Sequence, residues 1–107
     1  MAKSIAEIKK IARKTVNRLA EYLPVYSAYL FGSYATGRAD DKSDIDIAVF
    51  SPAVDKMGLE DKVNLISRVQ QSIKAGVEIH LFSLKRLRNA RPTNFYGYII
   101  KTGTKIA

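Results

Sequence analysis

Asp44 and Asp46 alternate with isoleucines in the stretch DIDIAVF, which otherwise has the composition of a hydrophobic strand. Side chains alternate between the two faces of a strand, so both carboxylates are predicted to share one face while Ile45, Ile47 and Val49 enter the core. Carboxylates roughly 7 Å apart at their Cβ atoms can converge on one divalent cation, which removes their mutual repulsion. For the bare pair, an edge strand with an acidic outer face is the simpler interpretation.

The loop before the aspartates changes that interpretation because it offers phosphate ligands. Gly32 lets the backbone approach a phosphate closely, and the Ser33 hydroxyl and the N–H groups after it can donate to phosphate oxygens. The chain has no cysteine and one histidine, so a thiolate site is excluded and oxygen ligands favour magnesium or manganese over zinc. Phosphate donors followed by metal-binding acids predict a nucleoside triphosphate site.

The elements that must position these residues follow from the spacing of apolar residues. The pattern predicts a helix from residue 5 that Pro24 closes, strands at 25–31, 44–50 and 77–82, a helical turn after Ser33, and a helix over 58–74 with Gly76 at its C-cap position. Residues 84–107 have mixed signals, with a loop or broken helix first and a short strand at the end. This order predicts one α+β domain over residues 1–107, with a small mixed or antiparallel sheet and helices packed on one face.

The segment GSYATGRADDKSDIDIAV resembles the signature of the minimal nucleotidyltransferases of the DNA polymerase β superfamily. In that family Gly-Ser, ten further residues and Asp-x-Asp mark the active site, and residues 32–46 satisfy this spacing. The order of helices and strands extends the resemblance over about residues 5–83. The resemblance implies a nucleotidyltransferase fold, ATP as substrate and Mg²⁺ or Mn²⁺ as cofactor.

The resemblance also implies roles for individual residues. Those assigned to the nucleotide are Gly32, Ser33 and Ser43, and those assigned to the metal and to catalysis are Asp44, Asp46 and Glu78. Arg38 is added to the nucleotide ligands because it follows the phosphate loop and could contact a phosphate. Glu78 occupies the place of a third carboxylate that is usually an aspartate and that orients or deprotonates the attacking hydroxyl. His80 shares the predicted face of Glu78; it could support the site, but a lone surface histidine is the favoured interpretation.

The size of the chain, 107 residues, indicates which members of the family it resembles most. Larger members carry additional domains for their acceptors, whereas stand-alone bacterial and archaeal members pair with a helical HEPN protein, often as antitoxin to its RNase. The resemblance implies transfer of AMP from ATP to a tyrosine of that partner. No arginine is followed by histidine four to six positions later, so this chain is predicted to be the antitoxin, in a hetero-oligomer or a homodimer.

The distribution of charge leaves two other hypotheses open. Residues 84–107 carry six basic residues and no acid, and the stretch also holds three aromatic side chains, Phe95, Tyr96 and Tyr98. It could be a contact surface through which the protein inhibits its partner without catalysis, or, less favoured, an RNA contact. The first residues contain no long apolar run, so we expect neither a signal peptide nor a membrane helix, and a cytoplasmic location.

Overall fold

The computed structural model describes residues 3–40 and 42–107 of the chain. Its helices and strands are, in chain order, α1 (Ile5–Leu19), β1 (Ser27–Phe31), α2 (Ser33–Thr36), β2 (Ile45–Ser51), α3 (Leu59–Ser72), β3 (Val77–Ser83), α4 (Leu84–Arg88), α5 (Phe95–Thr102) and β4 (Thr104–Lys105). A 3₁₀ helix, Pro52–Lys56, follows β2 directly. The predicted strands and the helical turn after Ser33 are confirmed.

The four strands form one sheet in the order β3-β2-β1-β4. Strand β1 runs antiparallel to β2 and β4, whereas β2 and β3 are parallel and are joined by a crossover through α3. The predicted mixed sheet of an α+β fold is therefore confirmed. The parallel pairing places β3 beside the strand that carries Asp46, so side chains of β3 can lie next to that carboxylate.

Helices α1 and α3 cover one face of the sheet. The inward residues of α1 recur at helical spacing as predicted, and Ile8, Ala12 and Leu19 are fully buried. The helix ends at Leu19, ahead of Pro24, because the chain there passes into turns in which the N–H of Tyr22 donates to the Leu19 carbonyl at 2.9 Å. The prediction that Pro24 closes the helix was therefore wrong.

The packing of α3 differs from its sequence pattern. Val69 and Ile73 are buried, but Leu59 and Val63 at the start of the helix are 77% and 54% exposed. Helical periodicity defines an apolar face without showing how much of it has a partner. The C-cap is Ile73, in extended conformation, so the prediction of Gly76 at that position was also wrong.

The opposite face of the sheet is covered in part by α4 and α5. Ile99 of α5 is fully buried against Phe31, Ala48 and Phe50, with Leu87 of α4 packed at the edge of this cluster. The prediction of helices on one face of the sheet was therefore incomplete. The mixed sequence signals after residue 83 did not reveal that α5 has an apolar side. Within residues 3–40 and 42–107, no helix combines the length and apolar composition that crossing a membrane requires.

Candidate functional site

The turn between β1 and α2 is built on two glycines. Gly32 has φ 79° and ψ −148°, and Gly37 has φ 76° and ψ 16°; they are the positive-φ residues of the part of the chain that the structure describes. Residues with a Cβ are strained in both conformations, most severely in that of Gly32. The N–H of Gly37 donates to the Ser33 carbonyl and so ends α2 after one turn. The helical turn therefore stands at the end of β1 with Ser33 as its first residue.

Asp46 lies directly against Gly32. The antiparallel register pairs Asp46 with Phe31, the residue before Gly32. A Cβ added to Gly32 would collide with Oδ2 of Asp46 and lie 3.3 Å from its Cγ. Because only glycine leaves room for the carboxylate, the phosphate-type loop and the aspartate are packed as one unit.

Three ligand-type side chains converge on this face of the sheet. The parallel register places Glu78 directly opposite Asp46, and His80 opposite Ala48. One ligand atom from each of Asp46, Glu78 and His80 lies within 4.8 Å of the other two. Alternation along β3 thus brings Glu78 and His80 to the face of Asp46.

His80 is held inside the site. Its ring packs edge to face on Phe31 with centroids 5.1 Å apart, across β2, where the intervening residue Ala48 is small, and it stacks on Phe82. Its Nε2 atom is inaccessible to solvent and has no hydrogen-bond partner among the described residues. Oδ1 of Asp46 is 3.6 Å from Nε2 and Oε1 of Glu78 is 3.8 Å from it. The lone surface histidine favoured from the sequence was therefore wrong.

The electrostatics of the site act on Asp46. Burial raises the pKa of the Asp46 carboxyl, because it penalises the charged form, and the neighbouring charge of Glu78 raises it further. His80 opposes this effect, while Asp44 adds a smaller rise. A cation between these groups would replace unfavourable carboxylate repulsion by attraction, so the donor set fits a bound divalent cation.

Asp44 is set apart from the three converging side chains. Strand β2 begins at Ile45, so Asp44 lies in the preceding loop, where its side chain is exposed. A Cβ on Gly76 would lie 2.9 Å from Oδ1 of Asp44, which places this carboxylate beside the entry to β3. The site therefore combines Asp46 and Glu78 with His80 within the described residues, and Asp44 flanks them.

The other predicted nucleotide ligands lie in and after α2. Ser33 is half-buried, whereas Arg38 is exposed and its N–H donates to the Ser33 carbonyl at 2.9 Å. Oγ of Ser43 accepts the N–H of Asp40 at 2.9 Å. Ser43 thus shapes the loop that leads to Asp44; its predicted contact with nucleotide stays a prediction.

An aromatic wall beside the site escaped the sequence analysis. Phe95, at the start of α5, packs edge to face on Phe31 at 5.8 Å and on Phe82 at 6.1 Å. These two rings are also the ones that contact His80. The alternation of β3 predicted the shared face of Glu78 and His80, but no local pattern could predict that a distant helix would complete the wall.

Comparison with known proteins relates the chain to nucleotidyltransferases. A family model described as nucleotidyltransferase domain matches residues 12–99. A Methanocaldococcus jannaschii protein named "Putative protein adenylyltransferase" is 33% identical over 87 residues, which are 81% of this chain and 85% of that protein. A second protein of that organism with the same designation is 49% identical over 47 residues, 44% of this chain and 55% of its own length.

Solved structures share the fold. A crystal structure from Sulfolobus solfataricus has a TM-score of 0.65 at 24% identity and covers 98% of this chain and 87% of its own. A toxin-antitoxin structure with AMP-PNP has a TM-score of 0.65 at 25% identity, over 90% of this chain and 72% of that one. A tri-AMPylated Shewanella oneidensis HEPN toxin in complex with MNT antitoxin has a TM-score of 0.58 at 21% identity, over 92% and 71%.

Proposed function

This chain belongs to the nucleotidyltransferase domain family, and we propose that it transfers AMP from ATP to a hydroxyl group of a HEPN-type partner protein, as the antitoxin of the pair. Mg²⁺ or Mn²⁺ is the proposed cofactor. The single observation that carries the proposal is the packing of Asp46 on Gly32, which joins the phosphate-type loop to the carboxylate pair of Asp46 and Glu78.

The proposed reaction assigns work to each part of the site. The Ser33 hydroxyl and the first N–H groups of α2 donate to the triphosphate, with Arg38 and Ser43 as further proposed contacts. Asp46, Glu78 and the flanking Asp44 hold the divalent cation, which when bound neutralises phosphate charge and aligns the attacking and leaving oxygens. The acceptor hydroxyl attacks the α-phosphorus in line, and the bond to the β-phosphate oxygen breaks to release pyrophosphate.

Glu78 is the proposed base for the acceptor hydroxyl. Its side chain is 54% exposed, whereas that of Asp46 is 24% exposed. An incoming hydroxyl would therefore reach Glu78 from solvent, and the carboxylate would hold or accept its proton. Glu78→Gln keeps the length of the side chain but removes both a proton acceptor and a proposed metal ligand, so Mn²⁺ affinity is measured beside transfer to separate the two roles.

One sequence relative and two solved structures support the proposed class of acceptor. The Methanocaldococcus jannaschii relative, matched over most of both chains, is named for protein adenylylation. Of the similar solved structures, one toxin-antitoxin structure contains AMP-PNP and another contains a HEPN toxin with its antitoxin. These structures support an adenine nucleotide as substrate and a HEPN protein as partner. Helices α4 and α5 pack on the sheet face of Asp46 and carry cationic residues, which we propose as part of the surface that receives the partner.

The experiment uses ATP labelled with ³²P at either the α- or the γ-position, together with a purified HEPN protein from the same organism. Label from the α-position, and none from the γ-position, should enter the partner in the presence of Mg²⁺ or Mn²⁺. Asp46→Asn should lower transfer by about a hundredfold or more. Equal transfer by Asp46→Asn would contradict the proposal, and inhibition of the partner without transfer would favour a purely binding antitoxin.

A further inference from the structure

We propose that Nε2 of His80 is itself a metal ligand, and that this nitrogen makes the site select a first-row transition-metal dication over Mg²⁺. The inference rests on the metal site of the proposed function. It goes beyond that function because it names a ligand and a preference that the carboxylates alone do not predict. It can be tested without any acceptor protein.

The spacing of the donor atoms suits coordination. With metal–ligand bonds of about 2.1 Å, neighbouring ligands of an octahedron lie about 3.0 Å apart and opposite ligands about 4.2 Å apart. Nε2 of His80 lies 3.6 Å from Oδ1 of Asp46 and 3.8 Å from Oε1 of Glu78. Both distances fall between the two octahedral values, and all three donor atoms lie within 4.8 Å of one another, so the side chains would have to close by a short distance to surround one ion.

The burial of Nε2 without a hydrogen-bond partner also favours metal coordination. A buried polar atom without a partner costs free energy, and buried polar groups usually have one. Nε2 is inaccessible to solvent and has no hydrogen-bond partner among residues 3–40 and 42–107, although the side chain as a whole is 30% exposed. At 3.6 and 3.8 Å the carboxylate oxygens are too distant for hydrogen bonds. A cation between the three groups would satisfy all of them.

The surroundings fix the direction of the imidazole. Its contacts with Phe31 and Phe82 hold the ring across the small side chain of Ala48 and direct Nε2 to Asp46. A preoriented ligand loses little conformational entropy when the ion binds. The aromatic wall therefore serves the metal site, because it orients one of its donors.

The donor type determines the preference. Mg²⁺ binds oxygen ligands and retains much of its water, whereas imidazole nitrogen is a good ligand for first-row transition metals. Two carboxylate oxygens and one imidazole nitrogen form a mixed set that Mn²⁺ and later metals accept. Mn²⁺ is the practical probe since it is paramagnetic and also serves nucleotidyl transfer as proposed above.

The test is pulsed EPR of Mn²⁺ bound to the purified, chelator-treated full chain. Hyperfine coupling to ¹⁴N is expected in the wild-type protein and is expected to disappear in His80→Phe, which keeps an aromatic ring between Phe31 and Phe82. His80→Phe should bind Mn²⁺ about tenfold or more weakly, with a much smaller change for Mg²⁺. His80→Asp restores an oxygen donor and should bind both ions without the preference for Mn²⁺.

Three results would overturn the inference: no nitrogen coupling in the wild type, coupling that survives in His80→Phe, or equal loss of Mn²⁺ and Mg²⁺ affinity. Thermal unfolding of both variants shows whether the fold is kept, and His80→Asp provides the comparison if His80→Phe is unstable. Failure of AMP transfer with nitrogen coupling present would count against the proposed acceptor and leave this inference standing. AMP transfer without nitrogen coupling would support the proposed acceptor and overturn this inference.

Discussion

At the scale of single residues, the site depends on Gly32, which allows both the backbone conformation and the position of Asp46. We expect Gly32→Ala to lower the free energy of unfolding by about 1–3 kcal/mol through backbone strain and to displace the carboxylate as well. Gly37→Ala is the matched control, because its φ is also positive but an added Cβ meets nothing within 4 Å. It should lose about 1–2 kcal/mol while retaining Mn²⁺ binding, which Gly32→Ala should lose; calorimetric titration measures both. Equal Mn²⁺ affinity in the two variants would contradict the inference that Asp46 is positioned by its packing on Gly32.

The raised pKa of Asp46 makes the stability of the protein depend on pH. The pKa of this carboxyl is raised by burial and by Glu78, so the folded state disfavours its charge. The stabilising contribution of this group is present below the ordinary aspartate pKa and is lost as the pH rises through the raised value. Without metal, Asp46→Asn should therefore increase the thermal midpoint at pH 7, and the increase should vanish at acidic pH.

Addition of Mn²⁺ should reverse that order, because an ion that binds only the folded protein stabilises it by mass action. Wild type should gain stability and Asp46→Asn should gain much less. A lower midpoint for Asp46→Asn at pH 7 in the presence of chelator would show that the carboxylate is already stabilised by its neighbours. Thermal unfolding followed by circular dichroism at several pH values provides the measurement.

The sequence revealed some of these residues and concealed others. Alternation along β2 and β3 correctly placed Asp46, Glu78 and His80 on one face. It could not place Asp44, because strand β2 begins one residue later and the aspartate leaves the alternation. It also could not orient His80, whose direction depends on Phe31 of β1 as well as on Phe82 of its own strand.

At the scale of elements, α5 completes the aromatic wall and depends on its N-cap. Oδ1 of Asn94 accepts the N–H groups of Gly97 at 2.9 Å and Arg91 at 3.1 Å, while Nδ2 donates to the Asn89 carbonyl at 2.9 Å. We expect Asn94→Ala to cost about 1–2 kcal/mol of unfolding free energy, the upper part of the range for a lost cap. Asn94→Asp keeps the acceptor and should lose much less; urea unfolding compares the two. Equal losses would assign the effect to the Nδ2 donor.

The spacing of apolar residues predicted the helices correctly but did not predict where they end. The apolar spacing of α1 and α3 predicted both helices, since a buried stripe recurs every three or four residues. The end of α1 and the exposed start of α3 depend on turns and on how far the neighbouring layer extends, which the pattern does not contain. Helix α5 was missed as a definite element because its eight residues are short and follow a polar loop.

At the scale of the whole molecule, the topology brings together segments that are far apart in the chain. The antiparallel neighbour of β2 supplies Gly32, its parallel neighbour supplies Glu78 and His80, and α5 supplies the wall. Helices α4 and α5 pack on the same face of the sheet and carry basic residues. The acidic centre is therefore assembled from segments that only the folded topology brings together.

AMP transfer is tested by the intact mass of a HEPN protein from the same organism after incubation with this chain, ATP and a divalent cation. We predict mass increases of whole AMP units on the partner, absent with Asp46→Asn and strongly reduced with Glu78→Gln. An unmodified partner in a stable complex with an ATP-binding, metal-loaded wild-type chain would contradict the proposed transfer. The protein would then act as an inhibitor by binding alone.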